Sequence, residues 1–225
     1  MTRPQVRSPS AATSRQLNLR LLGDATRRLC RRDPDLRAVV RRWGAPPLWG
    51  RRPGFVTLLR IILEQQVSLA SARAMYLRLR GHLGMITPGT VVGLGVPGLR
   101  GLGFTRQKAA YCHALAQELE EGRLDLSSLH RADDAAVRSA LIRLHGVGPW
   151  SADIYLLMAL RRPDVWPSGD LALAQAMREV KRLPARPSAE RQARLAAGWA
   201  PWRAVAARIL WHHYLSVRAE GRAPA

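Results

Sequence analysis

Cysteine and lysine are scarce in this 225-residue chain, acids are few, and long apolar runs are absent. The two cysteines, Cys30 and Cys112, lie far apart without a CxxC neighbour. By themselves they can hold neither a zinc ion nor an iron–sulfur cluster, and they read as reduced thiols. The longest apolar runs, such as Ile154 to Leu160, fall well short of the ~20 residues that span a bilayer. The amino terminus is rich in Arg, Ser and Pro and carries no apolar stretch of the kind a secretory signal needs. An intracellular, cytoplasmic protein without membrane contact is expected, nucleoid-associated if the source is a bacterium. No segment keeps the alternation of a strand, so the fold class is expected to be all-α.

What is present is positive charge. Sixteen Asp and Glu stand against 36 Lys and Arg, a formal charge of +20. Only Lys108 and Lys181 are lysines, so arginine carries nearly all of it. Its planar fork donates paired hydrogen bonds to phosphate. GC-rich coding inflates Arg together with Ala, Gly and Pro, but it does not require so few acids. An acidic polymer is the expected partner, with no sign of sequence specificity. A hydrophobic share of 47 % is ordinary for a globular protein, and the length suits one domain or two small ones.

Residues 1–16 read as a disordered basic arm. Helical spacing follows over 17–43, with Asp33-Pro34 as a helix start inside it. Further helices are expected from Phe55 to Gln66, from Ser68 to Leu83, from Thr105 to about Gly122 and from Asp133 to Leu144. Three more are expected from Ser151 to Leu160, from Ala189 to Gly198 and from Trp202 to Val217. The stretch Thr87 to Gly103, dense in Gly and Pro, fits short helices joined by tight turns.

The most informative segment is 141–170, LIRLHGVGPWSADIYLLMALRRPDVWPSGD. Gly146-Val147-Gly148 makes a tight turn between two amphipathic helices, and the amides after Gly148 open a helix, which makes an anion site. Ser151 lies on that first turn. In so basic a chain the anion is expected to be a nucleic-acid phosphate. The backbone carbonyls of Ile142, Leu144 and Val147 could also hold a monovalent cation, whereas no side-chain set suits a metal and no cofactor is expected. Asp170 follows a Pro-Ser-Gly turn. By default it caps the helix Leu171 to Val180, yet it cannot help hold a phosphate and so invites a second role.

LHGVGPWSAD followed by WPSGDLAL resembles the helix–hairpin–helix DNA glycosylase superfamily. Ile61-Ile62-Leu63-Glu64-Gln65-Gln66-Val67-Ser68 is similar to the helix and loop that face the lesion in that family. Trp199-Ala200-Pro201-Trp202-Arg203 through Ile209-Leu210-Trp211 resembles the last helix of the AlkA-type 3-methyladenine DNA glycosylases. The resemblance covers roughly residues 50 to 215.

It implies two helical subdomains with the active site in the cleft between them. One would be formed by 17–54 and 161–217, the other by 55–160 with the hairpin motif at 134–160, leaving 218–225 as a tail. It implies that Asp170 is catalytic, that Trp150 and Trp211, with Tyr155, line a base pocket, and that Gln66, or Gln65, enters the duplex. Ile154 stands where relatives can carry a pocket tyrosine. Members that cut the backbone carry a lysine two residues after the second hairpin glycine; here that position is Trp150, which resembles the monofunctional class. The expected function is hydrolytic release of alkylated purines from double-stranded DNA by a monomer. A glycosylase for oxidised or deaminated bases and a non-catalytic DNA-binding repair module are the alternatives. His145, His212 and His213 are expected to pack or touch phosphate, and Trp43, Trp49, Trp166, Trp199 and Trp202 to serve the core.

Overall fold

A computed structural model describes residues 16–221, and these form eleven α-helices and no strand. They are α1 (Leu19–Arg32), α2 (Pro34–Trp43), α3 (Phe55–Glu64), α4 (Leu69–Leu83), α5 (Pro88–Gly101) and α6 (Arg106–Glu120). After them come α7 (Asp134–Ile142), α8 (Pro149–Ile154), α9 (Leu171–Val180), α10 (Ala189–Ala197) and α11 (Arg203–Glu220). The boundaries follow from side chains that compete for the first amides of each helix. Asn18, Asp33, Ser68, Thr87, Thr105, Asp133, Asp170 and Ser188 each accept an amide hydrogen bond from the turn they open.

The all-α expectation holds, and the departures have local causes. α5 is two short helices joined at Gly95, whose φ of 65° no helix accommodates. α8 is short because the chain widens into a π-turn over Tyr155–Ala159, with the Leu160 amide reaching back to the Tyr155 carbonyl. A 3₁₀ turn at Ser128–His130 had no periodic signal. α11 continues to Glu220, into residues expected to form a tail. The expected amino-terminal arm, except for Gln16, and residues 222–225 lie outside the described residues.

α1, α2, α9, α10 and α11 pack on one another, and α3 to α8 form a second group, with one continuous apolar core beneath both. The first group is tied by a buried polar knot. Lys181 donates to Asp33 and Asp35, and the Trp199 indole donates to Asp33 at 2.7 Å. Burial alone would push the Asp33 carboxyl up, but the hydrogen bonds from Lys181, Trp199 and the Leu36 amide outweigh it, and the net direction is downward. A lowered folded-state pKa gives stability that is present above the ordinary carboxylate range and lost as pH falls through the folded value. Asp33→Asn is therefore expected to lose about 1–3 kcal/mol, because it removes one of the two carboxylates that hold the half-buried Lys181 ammonium and leaves Asp35 alone to pair it. Denaturant midpoints followed from neutral to acidic pH check this: the wild-type advantage should shrink as the medium acidifies.

Candidate active site at the meeting of two helix groups

The hairpin is built from the backbone outward. α7 ends at Ile142, the Leu144 amide bonds to the Leu141 carbonyl, and the Val147 amide bonds to the Leu144 carbonyl at 3.0 Å. Gly146 sits at φ 84°, and a Cβ there would stand 2.2 Å from the ring of Tyr111 on α6. Both conditions demand glycine. Val147 is buried and anchors the loop, while Gly146 and Gly148 stay accessible. Gly148 opens α8 with no side chain capping its amides. The Leu144 carbonyl keeps only its second lone pair for a cation. Gly146→Ala is expected to retain its helical content but lose about tenfold or more in DNA affinity, since a strained, clashing residue costs about 1–3 kcal/mol. Circular dichroism and a binding titration check it.

A groove of about 700 Å³ runs along the hairpin, lined among others by Gln66, Tyr111, Arg143, His145, Gly146 and Gly148. Tyr111 stacks edge-on against His145 with centroids 4.8 Å apart, and Gln107 donates to its hydroxyl at 2.7 Å. Gln66 is exposed at φ 56°, an uncommon conformation for a side chain that is not glycine. Gln65 is placed differently from a residue free to enter a duplex. Its amide donates to the Gly146 carbonyl at 2.8 Å and to Ser151 Oγ at 2.9 Å, so it braces the hairpin. Ser151 is itself buried and faces Gln65 rather than open space.

Asp170 lies away from that groove, at the junction of the two helix groups. The turn Pro167-Ser168-Gly169-Asp170 is closed by the Asp170 amide on the Pro167 carbonyl at 3.2 Å, with Gly169 at φ 83°. The turn is held from behind: Trp166 packs on Trp199 at 5.5 Å, and Arg203 grips both carboxylate oxygens of Asp164. Asp170 caps α9 through the Leu173 amide at 2.8 Å, and two indoles also reach it. Trp150 Nε1 donates to Oδ2 at 3.0 Å and Trp211 Nε1 to Oδ1 at 3.3 Å. The three donors come from α8, α9 and α11, and none is charged. In this strongly basic protein a carboxylate bonded only to neutral donors has its negative charge left over for something else.

Tyr155 departs from its expected place. It is fully buried, and its hydroxyl accepts the Gly54 amide at 3.0 Å, so it pins the start of α3 instead of facing a pocket. Ile154 is buried as well. Trp211 is 8 % exposed and Trp150 half-buried, so Trp150 offers the larger open face. Among the described residues Lys108, Arg162 and Arg208 are buried cations, and two of them, unnoticed in the sequence, bond to backbone carbonyls near the site. Arg208 is fully buried and donates to the Leu157 carbonyl, in the last turn before the helix ends, at 2.8 Å and to the Trp49 carbonyl at 3.3 Å. Burial pulls its guanidinium down to about 10. Lys108 is the other. Cys112, beside it, is buried and its thiol is pushed up to about 12, so it stays protonated and inert. Among the described residues no cluster of His, Cys, Asp or Glu is suited to a metal, and no helix is long and apolar enough to cross a membrane.

Residues 59–201 match the HhH-GPD superfamily of base excision DNA repair proteins. The chain belongs to that superfamily. The matched span contains the hairpin, Trp150 and Asp170. A putative DNA-3-methyladenine glycosylase of Bacillus subtilis, YfjP, is 27 % identical over 185 residues, 79 % of this chain and 64 % of the relative. A probable bifunctional transcriptional activator/DNA repair enzyme AlkA of Mycobacterium tuberculosis is 33 % identical over 80 % of this chain and 37 % of its own length. This HhH-GPD chain therefore spans less than two thirds of either relative. Among solved structures, DNA-3-methyladenine glycosidase from Bacillus halodurans superposes with a TM-score of 0.72 at 25 % identity, covering 87 % of this chain and 91 % of that one. The 3-methyladenine DNA glycosylase Mag1 of Schizosaccharomyces pombe, solved with abasic DNA, gives 0.74 at 24 % identity over 84 % and 95 %, a likeness of fold.

Proposed function

We propose that this chain is a monofunctional DNA glycosylase that flips alkylated purines out of double-stranded DNA and hydrolyses their N-glycosidic bond. The observation that carries the reading is Asp170: a carboxylate bonded to Trp150 of the helix that the hairpin opens, held by two indoles and an amide and by no cation. Relatives named as 3-methyladenine glycosylases support the substrate class.

The hairpin amides and the arginine surface grip the backbone, and Gln66 fills the gap left by the extruded nucleotide at a cost of a few kcal/mol. Methylation at N3 or N7 places positive charge on the purine and weakens its bond to C1′. An indole face attracts such a base by up to ~2 kcal/mol when desolvated, and Trp150, with Trp211, offers that face. As the C1′–N bond breaks, its electron pair leaves with the base and neutralises it. The sugar becomes cationic, the carboxylate of Asp170 stabilises it, and water adds to C1′ and loses its proton to solvent, leaving a sugar hydroxyl. Neither lysine serves as a backbone-cutting nucleophile: Lys108 is tied to carbonyls and Lys181 to Asp33.

Duplexes carrying 3-methyladenine, 7-methylguanine, hypoxanthine or 8-oxoguanine, assayed side by side for free base, test the substrate class. Release confined to the two methylated purines is expected. Preference for a neutral base would move the reading to oxidised or deaminated lesions, and release of none would leave a DNA-binding module.

A further inference from the structure

Lys108 lies on α6 at 6 % exposure, although burying an ammonium is costly unless its donors are satisfied. Its Nζ donates to the carbonyls of Ile62, at 2.9 Å, and Gln65, at 2.8 Å; both acceptors are uncharged. The reason lies in how α3 ends. In a continuing helix the Ile62 carbonyl would take the Gln66 amide, but Gln65 turns extended at ψ 126° and Gln66 crosses to φ 56°. The Ile62 carbonyl is left with the Gln65 amide at 3.3 Å, so the ammonium adds a second, shorter donor there and supplies the Gln65 carbonyl with a donor that the broken helix withholds. From the same residue, the Gln65 side chain reaches the Gly146 carbonyl and Ser151 Oγ. One glutamine is thus held through its backbone by α6 and through its side chain to the hairpin and α8. The next residue is the exposed, left-handed Gln66, on the rim of the same groove.

We infer that Lys108 and Gln65 are positioning residues that weld the Gln66 loop to the hairpin, so that phosphate capture and entry of Gln66 into the duplex are one rigid-body step. This rests on the glycosylase reading and adds to it a cause for base extrusion. A loop that dangled from the end of α3 could bind DNA equally well, but it would pay the entropy of finding its insertion geometry at each encounter. A left-handed glutamine persists only where its surroundings over-determine it, and this brace does so.

The test uses the full chain, with Gln65→Ala, Lys108→Met, Gln66→Ala and the double variant Gln65→Ala/Gln66→Ala. The probe is a duplex with one 7-methylguanine and 2-aminopurine as its neighbour, whose fluorescence rises on unstacking. Gln65→Ala and Lys108→Met are expected to bind undamaged duplex as the wild type does. Their single-turnover base release should fall about tenfold to a hundredfold, as for a misplaced reacting group, with the fluorescence rise reduced in parallel. The double variant should be no slower than Gln66→Ala alone, because a brace has no value without what it holds. Wild-type release and fluorescence in Gln65→Ala, or losses that multiply in the double variant, would overturn the inference. Should Lys108→Met fail to fold, Gln65→Ala still decides, since Gln65 is only half-buried. A wild type that releases no base would defeat the glycosylase reading, while the fluorescence comparison, which needs no chemistry, would still judge the brace.

Discussion

Asp170→Asn is expected to fold, to bind damaged duplex as the wild type does, and to release base at least about 10³-fold more slowly, the scale set by losing a principal electrostatic stabiliser. Folding survives because asparagine caps a helix nearly as well as aspartate and can still accept the Leu173 amide. Binding survives because the carboxylate takes no part in holding phosphate; its removal subtracts a repulsion. What disappears is the charge that faces the cationic sugar. Asparagine also turns an NH₂ group toward one of two indole N–H donors that now share the carboxylate oxygens. Single-turnover release beside a binding isotherm separates the two effects. A variant within tenfold of the wild type would mean that Asp170 is a helix cap and nothing more.

The second large effect is on ionic strength. With 36 basic against 16 acidic residues, and with many acids already committed to internal partners such as Arg138–Asp153, Arg51–Glu64 and Arg203–Asp164, the uncompensated charge is outward-facing arginine. Each phosphate neutralised releases condensed counterions. Six to ten contacts would cost about 10³–10⁵ in affinity between roughly 50 and 200 mM salt. Binding titrations at four salt concentrations give the slope directly. A flat response would mean that the charge serves solubility and that DNA is held by other means.

The helix starts were legible because they are chemical statements. Asp33, Ser68, Thr105, Asp133 and Asp170 stand as side-chain oxygens ahead of apolar periodicity, where helix starts were expected, and each caps the helix that follows it. Gly146 was legible for the same kind of reason, although its demand for glycine also comes from Tyr111, 35 residues earlier in the chain, which no local pattern exposes. Tyr155 was misplaced because its pocket role followed from a resemblance of sequence, which does not separate a pocket wall from a core wall; its buried hydroxyl accepts the Gly54 amide instead. Gln65 and Gln66 look interchangeable as letters. Only the three-dimensional meeting of α3, α6 and the hairpin ties the first, half-buried, to the Gly146 carbonyl and leaves the second exposed. Lys108 did leave a trace: a lysine retained in an arginine-rich chain fits a site where a compact ammonium must reach two carbonyls.

The most direct test is a single-turnover reaction on a duplex bearing one 7-methylguanine, with borohydride added to part of the mixture. Free 7-methylguanine, an intact strand that breaks only in alkali, and no protein–DNA adduct after reduction are expected. A trapped adduct would contradict water as the nucleophile, and duplex bound tightly without release of base would contradict the chemistry assigned to Asp170.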